Sequence, residues 1–353
     1  MKKLLALFLC LPLLTACSHT YLERQIYPIC LSLDRMDDGR WQIGLQAPQS
    51  GSADNAAYDV LSALGDTPED ALRVLAASTP YPLNFSQMRL CLLSYEAAAA
   101  QPLRPLLRTL LELPSMRPNA YVMVSLGSAL EAMSAQQPDF GMRLSTHLNL
   151  LFQRLQREKT LPDSSLSYCV RELGDARCDL LLCVCAVNAQ LKDQQPQQHD
   201  GGGDTGGSSS PAFAVGEPWS DKLLPEDLLA GMLPRGSQNP VEYLGCAVVT
   251  NGRVTGVLNA SQTQLALRVS DECRLRVAMQ GDALQLQIIT PRDGELAGHH
   301  DEIRSLMLTL QAMGSDPLTF GCIASMRFLT DSAWQAYDFR ARYPSADVAV
   351  WSE

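Results

Sequence analysis

Past residue 192 the chain loses its hydrophobic patterning. Gln194-Gln195-Pro196-Gln197-Gln198 runs into Gly201-Gly202-Gly203, Gly206-Gly207 and Ser208-Ser209-Ser210-Pro211. A stretch with so little to bury cannot offset the entropy of ordering its backbone, so it reads as a flexible linker or long loop. His199 inside it reads as solvated. The 353 residues are thereby split into parts large enough for cores of their own, at roughly 150 residues per domain. The division places an N-terminal α+β part at 28–190, a linker and connection at 191–240 and a C-terminal α+β part at 241–353.

Strand and helix signals alternate in the first part. Apolar runs at 28–33 and 41–47 flank Asp38-Gly39, a hairpin signal. Thr67-Pro68-Glu69-Asp70 opens a helix: Thr67 supplies a cap, Pro68 fits the first turn, and the acidic pair complements the dipole. Buried strands are expected at 88–93 and 121–126, and a helix at 103–113. An amphipathic helix follows at 145–158, carrying His147 and an apolar stripe of Leu148, Leu151, Phe152 and Leu155. In the second part, Asn251-Gly252 marks a hairpin between 246–250 and 253–258. Strands are expected at 265–269, 274–279, 283–289, 319–328 and 347–351, with a helix at 301–313. The pattern implies an α+β fold: multi-domain, built of small mixed sheets packed with helices.

The first seventeen residues set the compartment. Lys2 and Lys3 precede an apolar run to Leu14, and Thr15-Ala16 lead into Cys17. This is the form of a bacterial secretory signal, sharpened by the cysteine into a lipoprotein signal. The run is too short for a helix across a bilayer core of about 30 Å, which needs ~20 residues. The expected maturation removes 1–16 and places diacylglycerol on Cys17, with 17–27 as the lipidated tether. The competing readings are a secretory signal with a chance cysteine and an anchor that stays uncleaved.

Cleavage removes two lysines from a chain whose net charge is already −10. An acidic chain without a Lys/Arg cluster excludes nucleic acid as a partner and leaves lipid, rather than charge, as the membrane tie. Of eleven cysteines, nine remain after Cys10 and Cys17 are set aside, an odd set that cannot pair completely. Cys169, Cys178, Cys183 and Cys185 match no paired C-x2-C zinc spacing, so most thiols are expected to be small core residues.

No nucleophile elbow, H-E-x-x-H helix, Walker loop or dinucleotide fingerprint occurs. His299 and His300 precede Asp301-Glu302, but adjacent side chains do not converge as i, i+4 ligands do. No catalytic residue, cofactor or metal is expected.

Several short motifs, in one order, carry a family resemblance. Behind Cys17 come Leu31-Ser32-Leu33-Asp34, the helix opening at 65–72, and Arg117-Pro118-Asn119-Ala120-Tyr121-Val122-Met123-Val124 with Gly127-Ser128-Ala129. The second half adds Gly245-Cys246-Ala247-Val248-Val249, then 252–259, then Gln311, Asp316 and Phe320-Gly321, and at the end Trp334 and Tyr343-Pro344. Together they resemble the Ger(x)C family, the lipoprotein C subunits of nutrient germinant receptors in endospore-forming bacteria. This chain departs from the family's usual Lys-rich composition, and its Gly/Ser/Gln stretch looks like an insertion.

The resemblance implies non-catalytic work: with membrane A and B subunits, the protein forms a receptor in the spore's inner membrane through which nutrients trigger germination. A solute-binding lipoprotein of a transporter and a structural envelope lipoprotein are the alternatives. The first predicts two similar lobes around a ligand cleft, and the second predicts no germination phenotype. Candidate partner contacts are Arg117 and Asn119, at the approach to a buried strand, and Asn251, Gly252 and Arg253 around the hairpin turn.

Overall fold

A computed structural model of the chain describes residues 24–49, 58–138, 141–188, 228–233, 239–280 and 283–353. Cys17, the leader, most of the tether and the Gln/Gly/Ser stretch lie outside the described residues. Eight strands form one sheet: β1 (Cys30–Arg35), β2 (Trp41–Pro48), β3 (Tyr58–Gly65), β4 (Leu90–Ser94), β5 (Tyr121–Ser125), β6 (Leu180–Val187), β7 (Val241–Thr250) and β8 (Arg253–Leu258). Their order is β3-β2-β1-β4-β5-β6-β7-β8. β1, β4, β5 and β6 run parallel at the centre, and antiparallel hairpins extend both sides.

The central strands are near-continuous apolar runs because helices cover both faces. On one face Cys91, Leu93, Val122, Val124, Leu180 and Leu182 pack under the helices Pro68–Ser78, Leu103–Leu111 and Leu166–Glu172. The other face carries Leu90, Leu92, Met123, Cys183 and Cys185 under Ala129–Ser134 and Leu144–Arg157.

The hairpin β7–β8 lies beyond the linker yet pairs with β6, so the first sheet crosses the boundary that composition places at 191–240. It is correspondingly larger than the small sheets expected. β7 is buried along its whole length, which suits an interior position better than the start of a separate sheet. Its register slips opposite Cys183 and Cys185, and Gly245 there has φ +90°, a bulge conformation open to glycine.

A second sheet orders β11 (Asp347–Ser352), β10 (Ala283–Thr290) and β9 (Arg274–Gln280), with β11 parallel to β10. Its core also takes in Leu181 of β6 and Cys246 and Val248 of β7, together with the helices Ala260–Glu272 and His300–Ala312. The two sheets therefore share buried side chains.

Two expected strands are helices. Residues 265–269 lie within Ala260–Glu272, which starts on a reciprocal cap: Asn259 accepts from the Gln262 N–H, and the Gln262 side chain accepts from the Asn259 N–H. Within 319–328, Phe320–Ser325 is helical, its first N–H groups drawn onto the Asp316 carboxylate. The Thr67 cap forms as expected, accepting from the Asp70 N–H.

A polar joint ties the sheets. Asp179 accepts from Arg340 Nη1 and Nη2, from Ser315 Oγ and from the Asp316 N–H. Beside it a disulfide links Cys178 to Cys322. Six further cysteines are buried as free thiols, namely Cys30, Cys91, Cys169, Cys183, Cys185 and Cys246, while Cys273 is half-buried. Asp175 lies within 4.8 Å of both bridged sulfurs, but sulfurs joined to each other are not thiolate ligands.

Candidate functional site: the sheet end at Arg89 and Arg117

The parallel register fixes which residues meet at one end of the large sheet. Leu90 of β4 pairs with Tyr121 of β5, and Leu180 of β6 with Val249 of β7. The approaches to β4 and β5 and the turn after β7 therefore emerge at the same end, the turn two strands away from Arg117 and Asn119.

Arg117 Nε donates to Asn119 Oδ1 at 2.7 Å, fixing the approach to β5. The stretch before and into Leu166–Glu172 braces it: Leu166 N donates to Ala120 O, Ser167 N to Pro118 O, and Val122 N to Ser164 O. Asn251 and Gly252 take φ +51° and +78°, the left-handed pair that a two-residue hairpin turn requires. The turn is anchored throughout. Asn251 N donates to Asp179 Oδ1 at 3.4 Å, Leu103 N to Gly252 O at 2.7 Å, and Arg253 Nη1 to Ala100 O at 3.1 Å.

Between the starts of β4 and β5 and two helices lies a polar cleft of about 560 Å³, which neither Arg117 nor the turn at 251–253 lines. Arg89, Asn119 and Tyr121 come from the sheet, Gln153 and Gln156 from Leu144–Arg157, Lys159 and Asp163 from the following loop, and Ser270 and Asp271 from Ala260–Glu272. Lys159 Nζ bridges to Asp271 Oδ2 at 2.8 Å, joining elements of the two halves across the cleft. The Tyr121 ring packs edge-on to Phe152 with centroids 4.8 Å apart, and its hydroxyl bonds to Gln156 Oε1. Burial, then the Asp163 carboxylate, raises the Tyr121 pKa, so its hydroxyl stays a donor.

Arg89 is the residue that local sequence does not disclose. It reads as one more position of a buried strand, but its Nε is enclosed without a hydrogen-bond partner, and no described carboxylate pairs with it. Burial, then repulsion from Arg117, weighs against its charge. The β4–β5 pairing sets the approach that carries Arg117 beside the strand that carries Arg89.

The three histidines among the described residues occupy structural positions. His300 Nε2 bonds with Thr290 Oγ1 and Ser352 Oγ, His299 Nδ1 lies 3.3 Å from Glu302, and His147 is buried in its helix. Among the described residues no helix is long and apolar enough to cross a membrane.

Residues 18–187, ending with the last residue of β6, match the model of the spore germination protein N-terminal domain. A solved structure, the crystal structure of the GerBC protein, is similar at 11% identity and a TM-score of 0.46, over 91% of this chain and 95% of that one. No curated protein matches in sequence. The spore germination domain runs from behind Cys17 through the central strands of the large sheet, and over those residues, 18–187, the chain belongs to the Ger(x)C family of spore germination proteins.

Proposed function

We propose that this protein is the non-catalytic lipoprotein subunit of a spore nutrient germinant receptor. Diacylglycerol on Cys17 holds it at the outer face of the cell membrane, in the spore's inner membrane, where it docks onto the membrane A and B subunits. The observation that carries this reading is a spore germination domain match that begins directly behind Cys17, where Lys2-Lys3, an apolar run and Thr15-Ala16-Cys17 have the form of a lipoprotein signal. Two buried acyl chains suffice for a stable anchor, since each CH₂ contributes roughly 0.8 kcal/mol. In this reading Arg117, Asn119 and the turn at 251–253 form the docking edge, because a braced sheet end presents polar groups at low entropic cost.

The test uses spores in which this is the one receptor of its kind. Cys17→Ala should shift the protein out of the membrane fraction or leave an uncleaved precursor, and nutrient germination should fail. Arg117→Glu combined with Arg253→Glu should leave folding intact and slow nutrient germination, while triggers that bypass receptors act normally. Spores lacking the protein that answer every nutrient at the wild-type rate would sink the proposal.

A further inference from the structure

We propose that the cleft at the sheet end binds a small carboxylate-bearing molecule, with Arg89 as its anchor. A guanidinium offers a planar set of donors that matches a carboxylate. Arg89 lines the cleft with its Nε enclosed and without an acceptor, on the strand beside the one that Arg117 leads into, and among the described residues no carboxylate forms an ion pair with it. A guanidinium held partly out of water without an ion pair favours an anionic acceptor at the donors it presents to the cleft, because charge-assisted bonds are the stronger ones.

The rest of the lining sets the size and charge of that group. A volume of about 560 Å³ lies in the range of small-molecule sites, which occur preferentially between structural units, as here between Leu144–Arg157 and Ala260–Glu272. Asn119, Tyr121, Gln153 and Gln156 provide neutral hydrogen-bonding groups for the body of the ligand. Lys159 is already neutralised by Asp271, and Asp163, whose Oδ1 accepts from Ser165 N, has no cation. The lining thus holds as many carboxylates as cations. A single negative charge can be met by Arg89, whereas a phosphate dianion would be repelled about twice as strongly by Asp163 and Asp271. The inference goes beyond the receptor-subunit reading and is tested on purified protein, so either can fail alone.

The experiment follows the Arg89 Nε–H resonance of the full chain in detergent during titration with acetate, and separately with inorganic phosphate at matched ionic strength. The expected result is a saturable shift with acetate, weakened at least tenfold in Arg89→Met and retained in Arg253→Met, with phosphate weaker than acetate. An unmoved Arg89 resonance overturns the proposal, as does equal acetate binding by Arg89→Met. Tighter binding of phosphate than of acetate overturns the carboxylate assignment. Should Arg89→Met fail to fold, the wild-type resonance alone decides.

Discussion

Asp179 and Arg340, far apart in sequence, meet where the two sheets join. The carboxylate, with its side chain only 2% exposed, receives Nη2 at 2.9 Å and Nη1 at 3.1 Å. Asp179 leads into β6 of the large sheet, and Arg340 belongs to the short helix Phe339–Arg342 that packs with the second sheet's core. Arg340 also donates to Ala176 O, so one guanidinium holds the strand approach at two points.

Removing the cation should be costly because the anion stays buried. Arg340→Met is expected to destabilise the protein by about 3 kcal/mol, at the low end for breaking a buried pair because the arginine is itself one-third exposed. Asp179→Asn added to Arg340→Met should recover part of that loss. Denaturant unfolding of the three variants and the wild type closes the cycle, and simple additivity would show that the pair is not coupled.

Asp316 predicts a pH dependence at the same joint. Burial first, and Asp179 nearby, raise its pKa from 3.8 to about 7, against the N–H groups of Gly321 and Phe320, which pull it down. The folded state then keeps a proton that the unfolded chain releases, so this group's contribution to stability falls as pH rises from about 4 to about 7. Asp316→Asn should flatten stability over that window. Unfolding free energies at pH 5 and pH 8 measure the difference, and an unchanged slope in the variant would refute the assignment.

The Cys178–Cys322 bridge spans a sequence separation of 144 and links the same two regions. Protein that has folded in an oxidising compartment should, when denatured without reductant, leave these two sulfurs unlabelled while the other thiols react with a maleimide. Reduction should lower stability by about 2–4 kcal/mol. Labelling of Cys178 in unreduced protein would contradict the bridge.

Much of the fold is legible wherever local chemistry decides. The Thr67 cap, the Asn251-Gly252 turn and the unbroken apolar runs of β4, β5 and β6 each carry their structure in adjacent residues. β3 escapes because it is an edge strand whose Val60, Leu61 and Leu64 stay partly exposed, so no buried face imprints an alternation. The 265–269 run contains leucine and valine in strand-like density, and the cap that makes it helical lies upstream at Asn259 and Gln262. The cleft is hardest to foresee. Arg89, Asn119 and Asp163 share it through strand pairing and helix placement, and nothing adjacent to Arg89 announces that its Nε will be enclosed.

Asp34, the last residue of the Leu31-Ser32-Leu33-Asp34 motif, has a role that the structure makes definite. Its carboxylate leaves β1 and accepts from the N–H groups of Ala129 and Leu130 at 2.7 and 2.8 Å, capping a helix almost a hundred residues later. That helix, Ala129–Ser134, lies close against β2: a Cβ at Gly44 would stand 2.5 Å from Leu130 Cδ1 and from Ser32 Oγ. Asp34→Ala leaves the buried Ala129 N–H without an acceptor and removes two charge-assisted bonds, a loss of about 3 kcal/mol. Asp34→Asn keeps a carbonyl acceptor for one N–H and should lose about half as much. Hydrogen exchange localises the effect: the amides of Ala129 and Leu130 should exchange much faster in Asp34→Ala, while those of β6 slow or quicken only with global stability. Unchanged protection at Ala129 would show that the helix start is held by its packing on Gly44 and not by the carboxylate.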